Sequence, residues 1–130
     1  MPNVSGIDQS EMLRELLAKL EEFVRERDWD QFHTPKNLAI SISIESAELL
    51  EHFQWVADSR PSSLTESKRG EVADEAADIY LYLLLFCRKF GIDLNSVALE
   101  KLRKNADRYP VRESYGTSTK YTELPKNDGS

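Results

Sequence analysis

The sequence predicts an all-α protein built from four helices, and three observations lead to this expectation. Only five glycines and five prolines occur among 130 residues, so long stretches lack the turns that a β fold needs. Apolar residues recur at steps of three and four, and capping residues stand between the periodic stretches. We expect a four-helix bundle-like domain over residues 1–110 and an extended C-terminal tail over residues 111–130, with its last six residues disordered.

The first two helices are defined by apolar periodicity and by a cap between them. Apolar residues recur from Met12 to Val24 with charged residues between them, which predicts a helix over residues 8–27. Residues 28–33 lose this period. Thr34 then supplies an N-cap side chain, and the proline after it suits the first position of a helix. We expect the second helix over residues 35–56.

The last two helices are bounded by a loop and by two further caps. Residues 57–63 are rich in turn-forming residues and predict a loop. Thr65 can cap a third helix that ends at Gly91. Asp93 can cap a fourth helix, which must stop before Pro110 because proline disfavours helical backbone in the residue that precedes it.

Charge and cysteine content exclude several classes of protein. With 23 acidic and 17 basic residues, the chain lacks the positive charge that binding to long nucleic acids requires. No apolar run approaches the roughly 20 residues that span a bilayer, and Met1–Ser10 lacks an export signal, so we expect neither membrane insertion nor export. The only cysteine, Cys87, adjoins an apolar run, which predicts a buried thiol and a cytoplasmic protein.

The size of the chain favours self-association. A single domain of 130 residues buries only roughly two thirds of its unfolded surface. The run Leu81–Phe86 is apolar around most of its helical circumference and should be covered on several sides. We therefore expect a homo-oligomer, a tetramer.

Four carboxylates form the main chemical feature of the sequence. Glu45 and Glu48 lie three residues apart on the second helix, and Glu75 and Asp78 do so on the third, so each pair shares a helical face. We expect Glu45 and Asp78 to be buried, because apolar residues or alanines flank them and no lysine or arginine lies one turn from Asp78. Buried carboxylates without a cation are costly to ionise, and a bound metal ion would offset this cost.

The residue types select the kind of metal. Oxygen ligands without a cysteine or histidine pair favour a hard cation, Mg²⁺, with Mn²⁺ as a substitute, and disfavour zinc. A di-iron site needs two Glu-x-x-His motifs, but His33 and His52 are preceded three positions earlier by aspartate and leucine. No glycine-rich phosphate loop is present. The alternative is a non-catalytic helical interaction module whose acidic faces are solvated.

The fourth helix offers positive charge for a phosphate. Lys101, Asn105 and Arg108 fall on one face at steps of four and three. Stabilisation of the helix C-terminus by cations explains Lys104 and Arg108 equally well. Asn105 is less expected there, because asparagine is a modest helix former and carries no charge.

These residues together resemble the MazG-like family of all-α nucleoside triphosphate pyrophosphohydrolases. The family motif is Glu-x-x-Glu, a spacer and Glu-x-x-Asp, which Glu45, Glu48, Glu75 and Asp78 match. The resemblance covers nearly the whole chain and is closest to the dCTP pyrophosphatase branch of the family. The segments that carry it are residues 27–33, 35–38, 48–55, 108–110 and 120–125.

The resemblance implies a dimer of dimers, Mg²⁺ on the four acids and a triphosphate against the fourth helix. The positions that match the family's nucleoside pocket are Trp29, His33, Trp55 and Tyr82. Those that match positions near phosphate are Lys101, Asn105, Arg108 and Tyr109. For the two tryptophans, ordinary packing is the alternative. In some animal members a histidine of the first helix corresponds to Leu20 here, which leaves dCTP and a modified pyrimidine nucleotide as candidate substrates.

The implied reaction is attack of a metal-positioned water on the α-phosphorus, which yields a nucleoside monophosphate and pyrophosphate. The carboxylates mainly hold the metal, and Glu48 or Glu45 is the candidate to orient or deprotonate the water. The implied biological role is to remove unwanted nucleotides before a polymerase uses them.

Overall fold

The structure of the protein is a computed structural model, which describes residues 8–125. Within this range every regular element is helical and no strand occurs, so the all-α prediction is confirmed. The α-helices are α1 Gln9–Glu26, α2 Pro35–Glu51, α3 Glu66–Phe90, α4 Leu94–Arg108 and α5 Val111–Ser114. Short 3₁₀ turns lie at Asp30–Phe32, Pro61–Ser63 and Tyr121–Glu123.

Side-chain caps begin the four long helices, and those of α2, α3 and α4 were predicted, whereas the cap of α1 was not assigned from the sequence. Each helix begins at a side-chain oxygen that accepts a hydrogen bond from a backbone N–H of the first turn, and the caps of α1 to α4 are Asp8, Thr34, Thr65 and Asp93. Gly91 ends α3 in the left-handed region, with φ of 63°. These ends agree with the sequence because capping depends only on neighbours along the chain.

The second helix ends earlier than predicted. It stops at Glu51, and the chain continues to Val56 as a series of turns. Their hydrogen bonds span three residues, from Phe53 N to Leu50 O at 2.9 Å and from Val56 N to Phe53 O at 3.1 Å. Aromatic and β-branched residues favour helix less than the leucines and glutamates before them, which is consistent with the tightened backbone.

The prediction of an extended C-terminal tail is wrong for two short pieces. Residues 111–114 form the single turn α5, and residues 121–123 form a 3₁₀ turn. Elements this short show no apolar period in a sequence. Residues 126–130, most of the stretch predicted to be disordered, lie outside the described residues, as do residues 1–7.

The described chain divides into two compact units, one up to Gly91 and one from Ile92 onwards. The domain boundary expected at residue 110 stays a prediction. In the first unit α2 and α3 pack side by side. Its core contains Leu38, which is fully buried, together with Val24 of α1 and Leu85 of α3.

Two further expectations concern single features of the sequence. Cys87 is buried and forms no disulfide, as predicted. Among the described helices, none has the length and apolar character that crossing a membrane requires.

Candidate active site

Three carboxylates converge where α2 and α3 pack together. Glu45, Glu48 and Glu75 each offer one oxygen, and these three oxygens all lie within 4.8 Å of one another. Glu45 and Glu48 lie three positions apart on α2, so they share a face, and the neighbouring α3 supplies Glu75. The spacing predicted a shared face for each acidic pair, and the packing of α2 against α3 brings these three residues together.

Two oxygens of the carboxylate cluster have no hydrogen-bond donor in the described part of the chain. Glu45 Oε2 and Glu75 Oε2 are both buried, and within residues 8–125 neither has a hydrogen-bond partner. Buried acceptors without donors are costly, and so are like charges in close contact. A hard cation would satisfy both oxygens and neutralise the charge, so these donor atoms fit a divalent metal ion such as Mg²⁺.

Crowding of the carboxylates changes the acidity of one of them. The pKa of Glu45 is raised to about 7, chiefly because its protonated form can share the proton with the adjacent carboxylate of Glu75. Burial raises this pKa further, and so does the nearby carboxylate of Glu48. In the metal-free chain Glu45 therefore exchanges its proton around neutral pH, well above the usual range of a glutamate.

The fourth predicted carboxylate, Asp78, lies apart from this close group. It is exposed in the single chain, so the expectation that it is buried is wrong. Ala76 and Ala77 beside it are exposed as well. Side chains this small cannot cover the carboxylate of Asp78. Asp78 nevertheless lines a cavity together with Glu45. Its role as a metal ligand stays a prediction.

A cavity of about 260 Å³ adjoins the carboxylates within the first unit. Most of its lining is apolar or aromatic, with two acids and one imidazole. The lining residues are Leu20, Phe23, Val24, Trp29, His33, Glu45, Asp78, Leu81, Tyr82 and Leu85. Three of the four residues predicted to bind a nucleoside, Trp29, His33 and Tyr82, are thus brought together beside Glu45 and Asp78.

The aromatic side of this cavity has a defined geometry. The ring of Trp29 meets those of Phe23 and His33 edge to face, at centroid distances of 5.7 and 6.4 Å. His33 Nδ1 is buried, and no hydrogen-bond partner for it lies in the described part of the chain. Burial lowers the pKa of His33, and the positive charge of Lys89 lowers it further. A neutral imidazole with a free nitrogen suits a polar, uncharged edge of a ligand.

Trp55 is placed differently from the other predicted nucleoside-binding residues. It follows the end of α2, is 87% exposed and is absent from the lining of this cavity. Tryptophan side chains are normally well covered. Packing inside the single chain therefore does not explain why a tryptophan occupies position 55.

The residues predicted to bind phosphate belong to the second unit. Lys101, Asn105 and Arg108 lie on α4, so their spacing places them on one helical face, and Tyr109 caps the end of that helix. Asn105 is half-buried, whereas Lys101 and Arg108 are exposed. The guanidinium of Arg108 lies over the ring of Tyr121, with Cζ 4.9 Å from the ring centroid.

One residue at the carboxylate cluster was not assigned from the sequence. His52 Nε2 lies 4.0 Å from Glu75 Oε1, and His52 Nδ1 lies 3.7 Å from Glu71 Oε2. The side chain of His52 is only 17% exposed. Its spacing of four residues from Glu48 places it on the same face of α2, and this spacing was the available signal.

Comparison with known proteins gives a consistent set of relatives. The MazG-like family model matches residues 40–124, nearly two thirds of the chain. The human protein dCTP pyrophosphatase 1 is 41% identical over 106 residues, covering 80% of this chain and 62% of the relative. The mouse protein of the same name is 38% identical over 107 residues, covering 81% and 63%. The chain thus spans less than two thirds of the length of these relatives.

A solved structure agrees with these matches. The crystal structure of a pyrophosphatase from Archaeoglobus fulgidus superimposes with a TM-score of 0.70 and is 46% identical, covering 76% of this chain and 93% of that chain. The all-α fold, the paired acidic motifs on α2 and α3 and the match over residues 40–124 lead to one conclusion: the chain belongs to the MazG-like family.

Proposed function

We propose that the protein is a metal-dependent nucleoside triphosphate pyrophosphohydrolase, which converts its substrate to a monophosphate and pyrophosphate. The observation that carries this proposal is the group of three carboxylate oxygens within 4.8 Å of one another beside an aromatic cavity. The names of the relatives, dCTP pyrophosphatase 1 and pyrophosphatase, support the same reaction.

The proposed metal is Mg²⁺, with Mn²⁺ as a substitute. Glu45, Glu48 and Glu75 would hold it, and Asp78 is the proposed fourth ligand. When bound, the cation would neutralise charge on the phosphate oxygens and stabilise pyrophosphate as the leaving group. Glu48 or Glu45 is proposed to orient the attacking water or accept its proton.

The aromatic cavity is the proposed site of the base. Trp29 and Tyr82 offer flat rings against which a base can stack, and the neutral His33 offers a ring nitrogen for a hydrogen bond. The volume of about 260 Å³ is at the small end for ligand cavities, which favours a single-ring base. Leu20 lines this cavity as an apolar side chain. We propose dCTP or a modified pyrimidine deoxynucleotide as the substrate.

The positive charge for the phosphates is proposed to come from α4. Lys101 and Arg108 provide charged donors, Asn105 provides an amide, and Tyr109 provides a hydroxyl group. The proposed biological role is to clear unwanted nucleotides from the pool that polymerases use, and we place this activity in the cytoplasm.

The test measures pyrophosphate release from a panel of nucleoside triphosphates at saturating Mg²⁺. Glu45→Gln and Asp78→Asn should each lose most of the activity, because each removes one charged ligand. Glu51→Gln is the matched control, since Glu51 is an exposed acid on α2 outside the cluster, and it should keep wild-type activity. Wild-type turnover by a folded Asp78→Asn protein would remove Asp78 from the site.

A non-catalytic helical interaction module with solvated acidic faces is the alternative function. The two functions differ in a thermal melt with Mg²⁺ and a non-hydrolysable dCTP analogue. Ligand at one hundred times its Kd stabilises the folded state by about 2.7 kcal/mol, which raises the melting temperature measurably. The unpartnered oxygens of Glu45 and Glu75 favour the enzyme. No shift at saturating ligand would favour the module.

A further inference from the structure

We infer that Tyr121, in the segment after α5, positions the guanidinium of Arg108 to bind phosphate. This inference rests on the proposed function, in which Arg108 contacts the phosphate chain of the substrate. It gives a role to the C-terminal segment, which the proposed reaction does not otherwise use.

The ring of Tyr121 contacts both residues at the end of α4. Arg108 Cζ lies 4.9 Å from the centroid of this ring, a distance typical of a cation–π contact. The ring of Tyr109 meets it edge to face, with centroids 6.0 Å apart and planes at 80°. A single side chain thus fixes two consecutive residues that are both predicted to lie near phosphate.

The other arginines with a defined partner contact carboxylates, and one of them, Arg27, also lies over an aromatic ring, with Cζ 3.8 Å from the centroid of Phe23. Arg103 Nη2 lies 2.7 Å from Glu100 Oε1, and Arg103 Nη1 lies 3.2 Å from Asp107 Oδ2. An arginine held in this way has its charge balanced and several of its N–H donors occupied. In the described chain Arg108 forms no ion pair.

Contact with an aromatic face has a different chemical consequence. The ring restricts the orientation of the guanidinium without neutralising its charge, and the five N–H donors lie in the guanidinium plane, where they remain available. Oriented donors with an unbalanced charge suit bidentate binding of a phosphate. Tyr121 therefore orients the guanidinium of Arg108 and leaves its charge available for an anion. In contrast, Glu100 and Asp107 neutralise the charge of Arg103 and occupy its donors.

The cavity beside the Arg108–Tyr121 pair contains carboxylates. A cavity of about 250 Å³ adjoins the pair and is lined by Asp107, Arg108, Pro110, Glu113, Tyr121, Leu124 and Pro125. Because two carboxylates line this cavity, we do not assign the phosphate to it. Leu124, which is half-buried, and Pro125 line the same cavity.

The test is the affinity of the full-length protein for the non-hydrolysable dCTP analogue with Mg²⁺, measured by calorimetry. Tyr121→Ala should weaken binding about two- to fivefold, the range of an exposed cation–π contact. Tyr121→Phe should bind like the wild type because it keeps the ring. Arg108→Ala should weaken binding more strongly, and adding Tyr121→Ala to it should cause no further loss. Arg103→Ala is the matched control and should leave the affinity unchanged.

The possible failures are distinguishable. A wild-type protein that does not bind the analogue would overturn the proposed function and this inference with it. If the wild type binds, then undiminished binding by Tyr121→Ala, or an equal loss with and without Arg108, overturns the inference alone. Tyr121→Leu guards against local unfolding, because it keeps an apolar side chain and should show the same loss as Tyr121→Ala.

Discussion

The surroundings of Glu45 give this single side chain a pH-dependent effect on folding. Its pKa is about 7 in the folded chain, whereas a free glutamate side chain titrates near 4.5. The folded state therefore binds the proton more tightly than the unfolded state does. The contribution of Glu45 to stability is fully present below about pH 4.5 and is lost as the pH rises through about 7.

We predict that the metal-free protein loses this contribution between pH 5 and about 7.5. The measurement is urea denaturation at several pH values, for the wild type and for Glu45→Gln, without divalent metal. The difference between the two isolates Glu45, because groups such as His33 and Asp30 titrate in both proteins. Glu45→Gln should be at least as stable as the wild type at pH 8. A difference that does not change with pH would contradict the raised pKa.

A second prediction for a single residue concerns Trp55. This side chain is 87% exposed, so Trp55→Ala should change the free energy of unfolding of the single chain by no more than about 0.5 kcal/mol. If Trp55 stacks on the base, its removal should raise KM by at least about fivefold and lower kcat less.

The control for Trp55 is an aromatic residue of equal exposure. Tyr115 is 88% exposed and has no predicted role in binding, so Tyr115→Ala should leave KM unchanged. Steady-state kinetics of pyrophosphate release compares the two variants. An unchanged KM in a folded Trp55→Ala protein would assign Trp55 to an interface.

At the level of helices, two glycines of α3 and its C-cap differ in backbone conformation. Gly70 lies in the helix and is exposed, whereas Gly91 adopts φ of 63° at the C-terminal end. A Cβ added at either position would meet no atom within 4 Å. The effect of Gly→Ala at each position therefore comes from backbone conformation alone.

We predict changes of opposite sign for these two glycines. Gly70→Ala should stabilise the protein by about 0.5–1 kcal/mol, because alanine loses less backbone entropy than glycine in a helix. Gly91→Ala should destabilise it by about 1–2 kcal/mol, because the left-handed region is unfavourable for a residue with a Cβ. Chemical denaturation of both variants is the measurement. A stabilised Gly91→Ala protein would contradict the left-handed cap.

For the protein as a whole, the main feature is apolar surface that a single chain does not cover. Only Val24, Leu38, Leu85 and Cys87 are buried among its apolar residues in the described range. On α2, Ile44 is 53% exposed and Leu50 is 66% exposed. Scattered exposed apolar residues are normal, but repeated exposure along one helix indicates a binding surface.

We predict that the protein is a homotetramer, a dimer of dimers, in solution. Self-association would cover the exposed apolar side chains of α2 and add to a small core. Sedimentation velocity over a range of concentrations gives the mass of the species directly. A monomer at micromolar concentration would contradict this prediction.

The helix caps and the shared faces of the acidic pairs could be predicted from the sequence, because both depend only on interactions between residues close in the chain. The caps at Thr34, Thr65 and Asp93 act within one helical turn, and the three-residue spacing of the acids places each pair on one face in any helix. The end of α2 and the turns of the C-terminal segment were missed, because elements of a few residues leave no periodic signal.

The contacts between helices and the exposure of individual side chains were decided only by the tertiary structure, because distances between helices depend on packing. The convergence of Glu45, Glu48 and Glu75, the raised pKa of Glu45 and the approach of His52 to Glu75 all require α2 and α3 to lie side by side. The exposure of Asp78 and Trp55 also depends on which surfaces neighbouring elements cover. Spacing along the sequence orients a side chain on its own helix, but only the packed structure fixes its neighbours and its access to water.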